Sequence, residues 1–198
     1  MTENSFSVTI WAMFKEVTVM VYMFLAEGFE EIEALCPLDL LRRAGVDVKT
    51  VGISSKTICG AHGISVIADM VESEMQSFDA DMIILPGGMP GTLNLDASKT
   101  VHKAIDPAIK NGSYIAAICA APSILGGLGI LRGKEAICYP GFEEKLLGAK
   151  ISDKRVVVDG KVITAAGMGV ALDFGLVLVE LLCGKEKAEA LRRGVIAD

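Results

Sequence analysis

The sequence predicts an α/β fold, a mostly parallel sheet covered by helices on both faces. Three observations carry this. Short apolar runs of strand length alternate with stretches of helical period along the whole chain. The composition is 52% hydrophobic but only 6% aromatic, so the core is Val, Ile, Leu, Ala and Met, the usual material of strands buried on both sides. A length of 198 residues suits one domain with a sizeable core.

Residues 17–24 form a first apolar strand, and 28–44 a helix closed by Gly45. A second strand covers 46–53, and a short one, 64–68, lies between Gly63 and Asp69. The strand 81–85 runs into Pro86-Gly87-Gly88, and the helix 98–110 stops at Asn111-Gly112. Next comes the strand 114–118, then Cys119 and a helix with Pro122 in its first turn, where a missing N–H costs nothing. A strand is expected at 136–139. Residues 156–159 and 161–165 flank Asp159-Gly160 and read as a hairpin. Helices over 170–183 and 185–193 close the chain. Residues 1–14 are apolar from Phe6 to Phe14 without a preceding basic residue, a poor signal peptide. They are read as an extension outside the fold, with 15–198 as the single domain.

Several function classes are disfavoured. A net charge of -6 without a Lys/Arg cluster argues against a nucleic-acid surface. No stretch reaches the roughly 18 apolar residues that span a bilayer. Five irregularly spaced cysteines suit a reducing, cytoplasmic compartment, and without a Cys-x-x-Cys pair no structural zinc site is expected.

In parallel sheets ligands bind beyond the carboxyl ends of the strands. Cys119 sits at such an end, with Ala117 before it and Ala120 and Ala121 after it. A helix N-terminus there favours thiolate, and small flanks permit the sharp turn of a nucleophile elbow. On the first helix, Phe29, Ile32, Glu33, Cys36, Leu40 and Ala44 share one stripe, leaving Glu33 its only acid, with Glu30 and Glu31 on the other side. Periodicity leaves two readings of Glu33: a desolvated acid that hydrogen-bonds a thiolate and shuttles protons, or a carboxylate at the stripe's edge that reaches water. Gly87 and Gly88 can offer backbone N–H groups which, with that of Ala120, would form an oxyanion hole. His62, in the turn Gly60-Ala61-His62-Gly63, can reach a pocket. No histidine follows Cys119, so a protease-type Cys–His pair lacks support.

With these residues in view the chain resembles the ThiJ/PfpI superfamily, in the branch named for the parkinsonism-associated protein deglycase. The motifs are Glu27-Gly28-Phe29-Glu30-Glu31-Ile32-Glu33, Leu85-Pro86-Gly87-Gly88, Ala116-Ala117-Ile118-Cys119-Ala120-Ala121-Pro122 and Asp173-Phe174-Gly175-Leu176, in family order. The resemblance implies a flavodoxin-like three-layer sandwich, a homodimer packed partly through the first helix, and cofactor-free chemistry. It makes Cys119 the reactive cysteine and Glu33 its partner, with Gly88 and Ala120 supplying N–H groups. The implied activity is conversion of small reactive aldehydes to hydroxy acids, of the glyoxalase or deglycase kind. Two alternatives accompany it: a redox-sensing or chaperone-like stress protein through oxidation of Cys119, and a hydratase or hydrolase of the same superfamily. The chain departs from the family pattern in three places. Tyr139 stands where a histidine is common, Ala165-Ala166-Gly167-Met168-Gly169-Val170 lacks the usual arginine, and His62 replaces another arginine. Ala120 replaces the histidine of the protease relatives, so peptidase activity is not expected.

Overall fold

Seven strands form one sheet in a computed structural model that describes residues 19–197. The 1–14 extension and the first two residues of the expected first strand lie outside that range. The order is β10-β11-β7-β6-β1-β2-β5, with β1 Met20–Leu25, β2 Asp47–Gly52, β5 Met70–Val71, β6 Met82–Leu85, β7 Tyr114–Ile118, β10 Val156–Asp159 and β11 Val162–Ala165. Every neighbouring pair is parallel except β10 and β11, the predicted hairpin around Asp159-Gly160. Helices cover both faces. On one, α1 (Glu31–Arg43) and α5 (Ala171–Cys183) bury Leu38, Leu41, Phe174 and Leu178 against the sheet. On the other, α3 (Lys99–Asn111) and α4 (Pro122–Gly127) bury Val101, Ile105, Ile124 and Leu125. The central β1, β6 and β7 are buried on both sides, which is why they read as unbroken apolar runs.

The structure revises several sequence-based boundaries. The first helix begins at Glu31 rather than 28, because Glu30 caps it: its carboxylate accepts the Glu33 N–H at 2.8 Å. That start turns the buried stripe to Glu33, Ala34, Pro37, Leu38 and Leu41, leaving Ile32 48% exposed. Glu31, assigned to the outer side, is 2% exposed, so Glu33 is not the only buried acid of the helix. The short strand at 64–68 is half of a separate hairpin, β3 (Thr57–Cys59) with β4 (Ser65–Ile67). The strand expected at 136–139 is reduced to β8 (Glu135–Ala136), paired with β9 (Lys150–Ile151). Beyond it the chain is held by single bonds, from Ile137 N to Thr164 Oγ1 at 3.0 Å and from Tyr139 N to Cys119 O at 2.8 Å. A further helix, α2 (Gly91–Ala97), precedes α3, and α6 (Lys185–Gly194) ends the fold. Among the described residues no helix is long and apolar enough to cross a membrane. All five cysteines are free.

The packing of α1 on α5 depends on Gly175. A Cβ there would stand 2.6 Å from Leu40 Cδ1 and 2.9 Å from Pro37 Cα, so the helices touch through bare backbone. Gly175→Ala is expected to destabilise the fold by about 1–3 kcal/mol through overpacking, read as a lower urea midpoint. An unchanged midpoint would show that the two helices separate without cost.

Candidate active site

Three strand ends meet at the carboxyl edge of the sheet. After β1 the chain turns through Ala26–Glu30 into α1, after β6 it runs through Pro86-Gly87-Gly88, and after β7 it reaches Cys119. Because β1, β6 and β7 are adjacent and parallel, these turns share one crevice. Cys119 has φ +64°, a left-handed backbone that side chains other than glycine seldom adopt. Hydrogen bonds on both sides hold it there: its N–H donates to Ala165 O at 2.9 Å and its carbonyl accepts from Tyr139 N at 2.8 Å. Strain of this kind persists only where the surroundings over-determine it. Here it presents the side chain sharply at the end of the strand.

Glu33 faces that side chain from the first turn of α1. It is 1% exposed, and Oε2 accepts the Gly87 N–H at 3.1 Å. Oε1 has no well-formed hydrogen bond among the described residues. Burial pushes the Glu33 carboxyl up to about 7. Hydrogen bonding to Cys119 opposes that rise, as do the N–H groups of Gly87 and Met168, while the charge of Glu30 adds to it. The Cys119 thiol is pushed up to about 12 by burial, then by the charge of Glu33 and the hydrogen bond to it. The N–H groups of Gly88 and Ala120 pull it down, without prevailing. α4 is only six residues long, and burial beside a carboxylate opposes the thiolate that a helix end would favour. The two acids titrate as a coupled pair.

Gly87 is what lets them meet. A Cβ at this position would stand 2.5 Å from Glu33 Oε2 and 2.6 Å from Cys119 Cβ. Its N–H, read from sequence as available to a ligand, is spent on Glu33, and its carbonyl accepts the Glu30 N–H at 3.0 Å. The N–H groups that face the sulfur are those of Gly88, at φ +91°, and Ala120.

Beside this group an open hollow of about 320 Å³ is lined by Tyr139, Pro140, Arg155, Gly167, Met168 and Val170. Gly167 joins the two, since a Cβ there would lie 3.3 Å from the Tyr139 ring and 3.8 Å from Glu33 Oε1. Neither Cys119 nor Glu33 lines this hollow or a larger one of about 600 Å³ near Asn94 and Ser98; the closeness of Gly167 to Glu33 Oε1 singles out the smaller one. His62 is not brought against Cys119. Its side chain is 69% exposed, with Nδ1 2.8 Å from Glu31 Oε2 and its own N–H donating to Glu31 Oε1 at 2.8 Å. Burial pushes Glu31 up, but the His62 ring and the N–H groups of His62 and Ile64 outweigh it and hold the carboxyl below its usual range. Glu30, Glu31 and His62 are the set closest to metal-ligand spacing among the described residues, and the Glu31 oxygens are already engaged by these hydrogen bonds.

Sequence reasoning named Ala165, Gly167 and Met168 only within a departure from the family pattern, without assigning them to the site. Their signal was available: small residues leave β11 beside the Cys119 strand, at the same carboxyl edge.

Glu33 makes the fold pH-sensitive. The native carboxyl keeps its proton to about pH 7, whereas the unfolded chain releases it near 4.5. The native state therefore binds more protons between these values, and stability falls as pH rises through them, by up to about 3 kcal/mol. Glu33→Gln is expected to flatten that fall in urea titrations from pH 5 to 8; an unchanged slope in the variant would contradict the assignment.

Comparison with known proteins agrees with this fold. Residues 19–181 match the DJ-1/PfpI family. Protein DJ-1 homolog B of Arabidopsis thaliana is 39% identical over 188 residues, 93% of this chain and 43% of that protein, so the chain spans less than half of its length. The glutathione-independent glyoxalase DJR-1.2 of Caenorhabditis elegans is 34% identical over 167 residues, 83% of this chain and 89% of that one. Among solved structures, oxidized Toxoplasma gondii DJ-1 superposes with a TM-score of 0.86 at 33% identity, covering 90% of this chain and 98% of that one.

Proposed function

Because the chain belongs to the DJ-1/PfpI family, we propose that it is a cysteine-dependent enzyme that converts small 2-oxoaldehydes to 2-hydroxy acids without a cofactor. The observation that carries this reading is the Cys119 thiol set against a buried carboxyl that titrates near neutrality. A general acid–base works best when its pKa lies near the working pH. Glu33 takes the thiol proton as sulfur attacks the aldehyde carbon and delivers it to the new hydroxyl, giving a hemithioacetal. The N–H groups of Gly88 and Ala120 hold the oxygen while it carries charge. Glu33 then moves the proton from the former aldehyde carbon to its neighbour. This leaves a thioester of the hydroxy acid, which water cleaves to release product and thiol. One water is consumed and no electrons are gained or lost overall. The glyoxalase name of the nematode relative supports the same chemistry.

The working unit in this reading is a cytoplasmic homodimer. Ile32 on α1 and Ile64 and Ile67 on the β3–β4 hairpin are exposed apolar groups on neighbouring elements, and would lie in the contact. Sedimentation should give twice the chain mass.

Purified, reduced protein is expected to turn methylglyoxal into lactate. Cys119→Ser should abolish turnover, and Glu33→Gln should lower kcat by about a hundredfold or more with the fold intact. Full activity in Glu33→Gln would end the mechanism. The oxidized state of the Toxoplasma relative favours a second reading, in which peroxide converts Cys119 to sulfinic acid beside Glu33. A mass gain of two oxygens at Cys119, with no aldehyde turnover by the reduced protein, would select it.

A further inference from the structure

Arg155 stands at the rim of the hollow beside Cys119, and it is a cation without an acid. Its carbonyl accepts the Ala166 N–H at 2.9 Å, which anchors its backbone against the segment leaving β11. Its Nη2 donates to Gly169 O at 2.8 Å, which holds the guanidinium over the same segment. Arg42, Arg43 and Arg192 each end on an aspartate, at 2.6, 2.6 and 3.2 Å. Arg132, Arg155 and Arg193 have no carboxylate at ion-pair distance among the described residues, and of these three Arg155 lines the hollow. A guanidinium carries five N–H donors, and one is engaged here. In a chain of net charge -6, a bare cation at the mouth of a cleft draws anions toward it.

The remaining walls are apolar: Tyr139, Pro140, Met168 and Val170. A volume of about 320 Å³ is at the lower end for small-molecule sites, and ample for a short carbon chain. Methylglyoxal would leave the outer part, and Arg155, unused. Gly167, which adjoins Glu33 Oε1, and Arg155, a fixed positive charge, both line the hollow, and hydrocarbon makes up most of its remaining walls.

We infer that Arg155 is a specificity-determining residue that anchors a carboxylate, and that the preferred substrates are 2-oxoaldehydes bearing a carboxylate on a short saturated chain. The inference rests on the activity proposed above and names its substrate class. With 4,5-dioxopentanoate as the probe, the thiol adds to the aldehyde carbon and the proton moves to the adjacent carbon. Water then cleaves the thioester to give 2-hydroxyglutarate. The distal carboxylate stays unchanged against Arg155, through charge-assisted hydrogen bonds of the bidentate kind that guanidinium favours.

The test compares kcat/KM for 4,5-dioxopentanoate and methylglyoxal in the wild type, Arg155→Gln and Arg155→Lys, each checked for an unaltered melting curve. The wild type should prefer the anionic aldehyde by about tenfold or more, as loss of a charged hydrogen bond would cost. In Arg155→Gln that ratio should fall toward one, through KM rather than kcat, while Arg155→Lys should keep part of it. Salt should erode the preference in the wild type and not in Arg155→Gln. Equal kcat/KM for both aldehydes in the wild type, or an unchanged ratio in Arg155→Gln, would overturn the inference and leave the proposed activity standing. If neither aldehyde is turned over, the proposed activity fails, and calorimetry with 2-hydroxyglutarate on Cys119→Ser decides the anion subsite alone. Binding weakened tenfold by Arg155→Gln sustains it, and absent or unaffected binding removes it.

Discussion

Gly87 stands between the Glu33 carboxyl and the Cys119 side chain with no room for a methyl group. Much of the crevice follows from that contact. The Gly87 N–H donates to the buried acid, and the Gly87 carbonyl receives the N–H of Glu30, the cap of α1. One residue therefore ties the turn after β6 to the start of α1 and to the acid beside the sulfur. A carboxyl buried this deeply needs a partner for either protonation state, and the site supplies few. The cost appears as a carboxyl that gives up its proton near pH 7 rather than 4.5. That cost is also what makes Glu33 a usable acid and base.

The cysteine is activated differently from one paired with an imidazole. Burial and the neighbouring carboxylate push the thiol up, while the N–H groups of Gly88 and Ala120 pull it down. In the proposed reaction the thiol becomes a nucleophile as a carbonyl arrives in the crevice and its proton passes to Glu33. The strained backbone at Cys119 contributes position rather than electronics. Clamped by Ala165 and Tyr139, the side chain points out of the sheet edge instead of lying back along β7.

What the sequence discloses follows from how local each signal is. The central strands β1, β6 and β7 were legible because burial on both faces leaves an unbroken apolar run, and the β10–β11 hairpin because Asp159-Gly160 marks its turn. The junction at Cys119 was legible for the same reason, since strand, small flanks and Pro122 are consecutive. The phase of α1 was not. It depends on where the helix starts, which the Glu30 carboxylate decides, and an error there exchanged Glu31 for Ile32 on the buried side. The segment 136–139 looked like a strand by composition, yet it is extended chain held by isolated bonds to Thr164 and Cys119. The upward push on the thiol was out of reach, because it depends on three-dimensional burial and on a carboxylate 86 positions earlier in the chain.

Three carboxylates within four consecutive positions, the cap and first turn of α1, point in three directions and end on three different parts of the molecule. Glu30 closes the helix's own first turn, Glu31 grips the loop of the β3–β4 hairpin through His62, and Glu33 reaches the cysteine. Each residue added or lost rotates a helix by about 100°. The three tethers therefore act together as a rotational lock, in which each can be altered singly but the spacing cannot. Through that lock the exposed hairpin and the buried thiol share one mechanical reference, the first turn of α1.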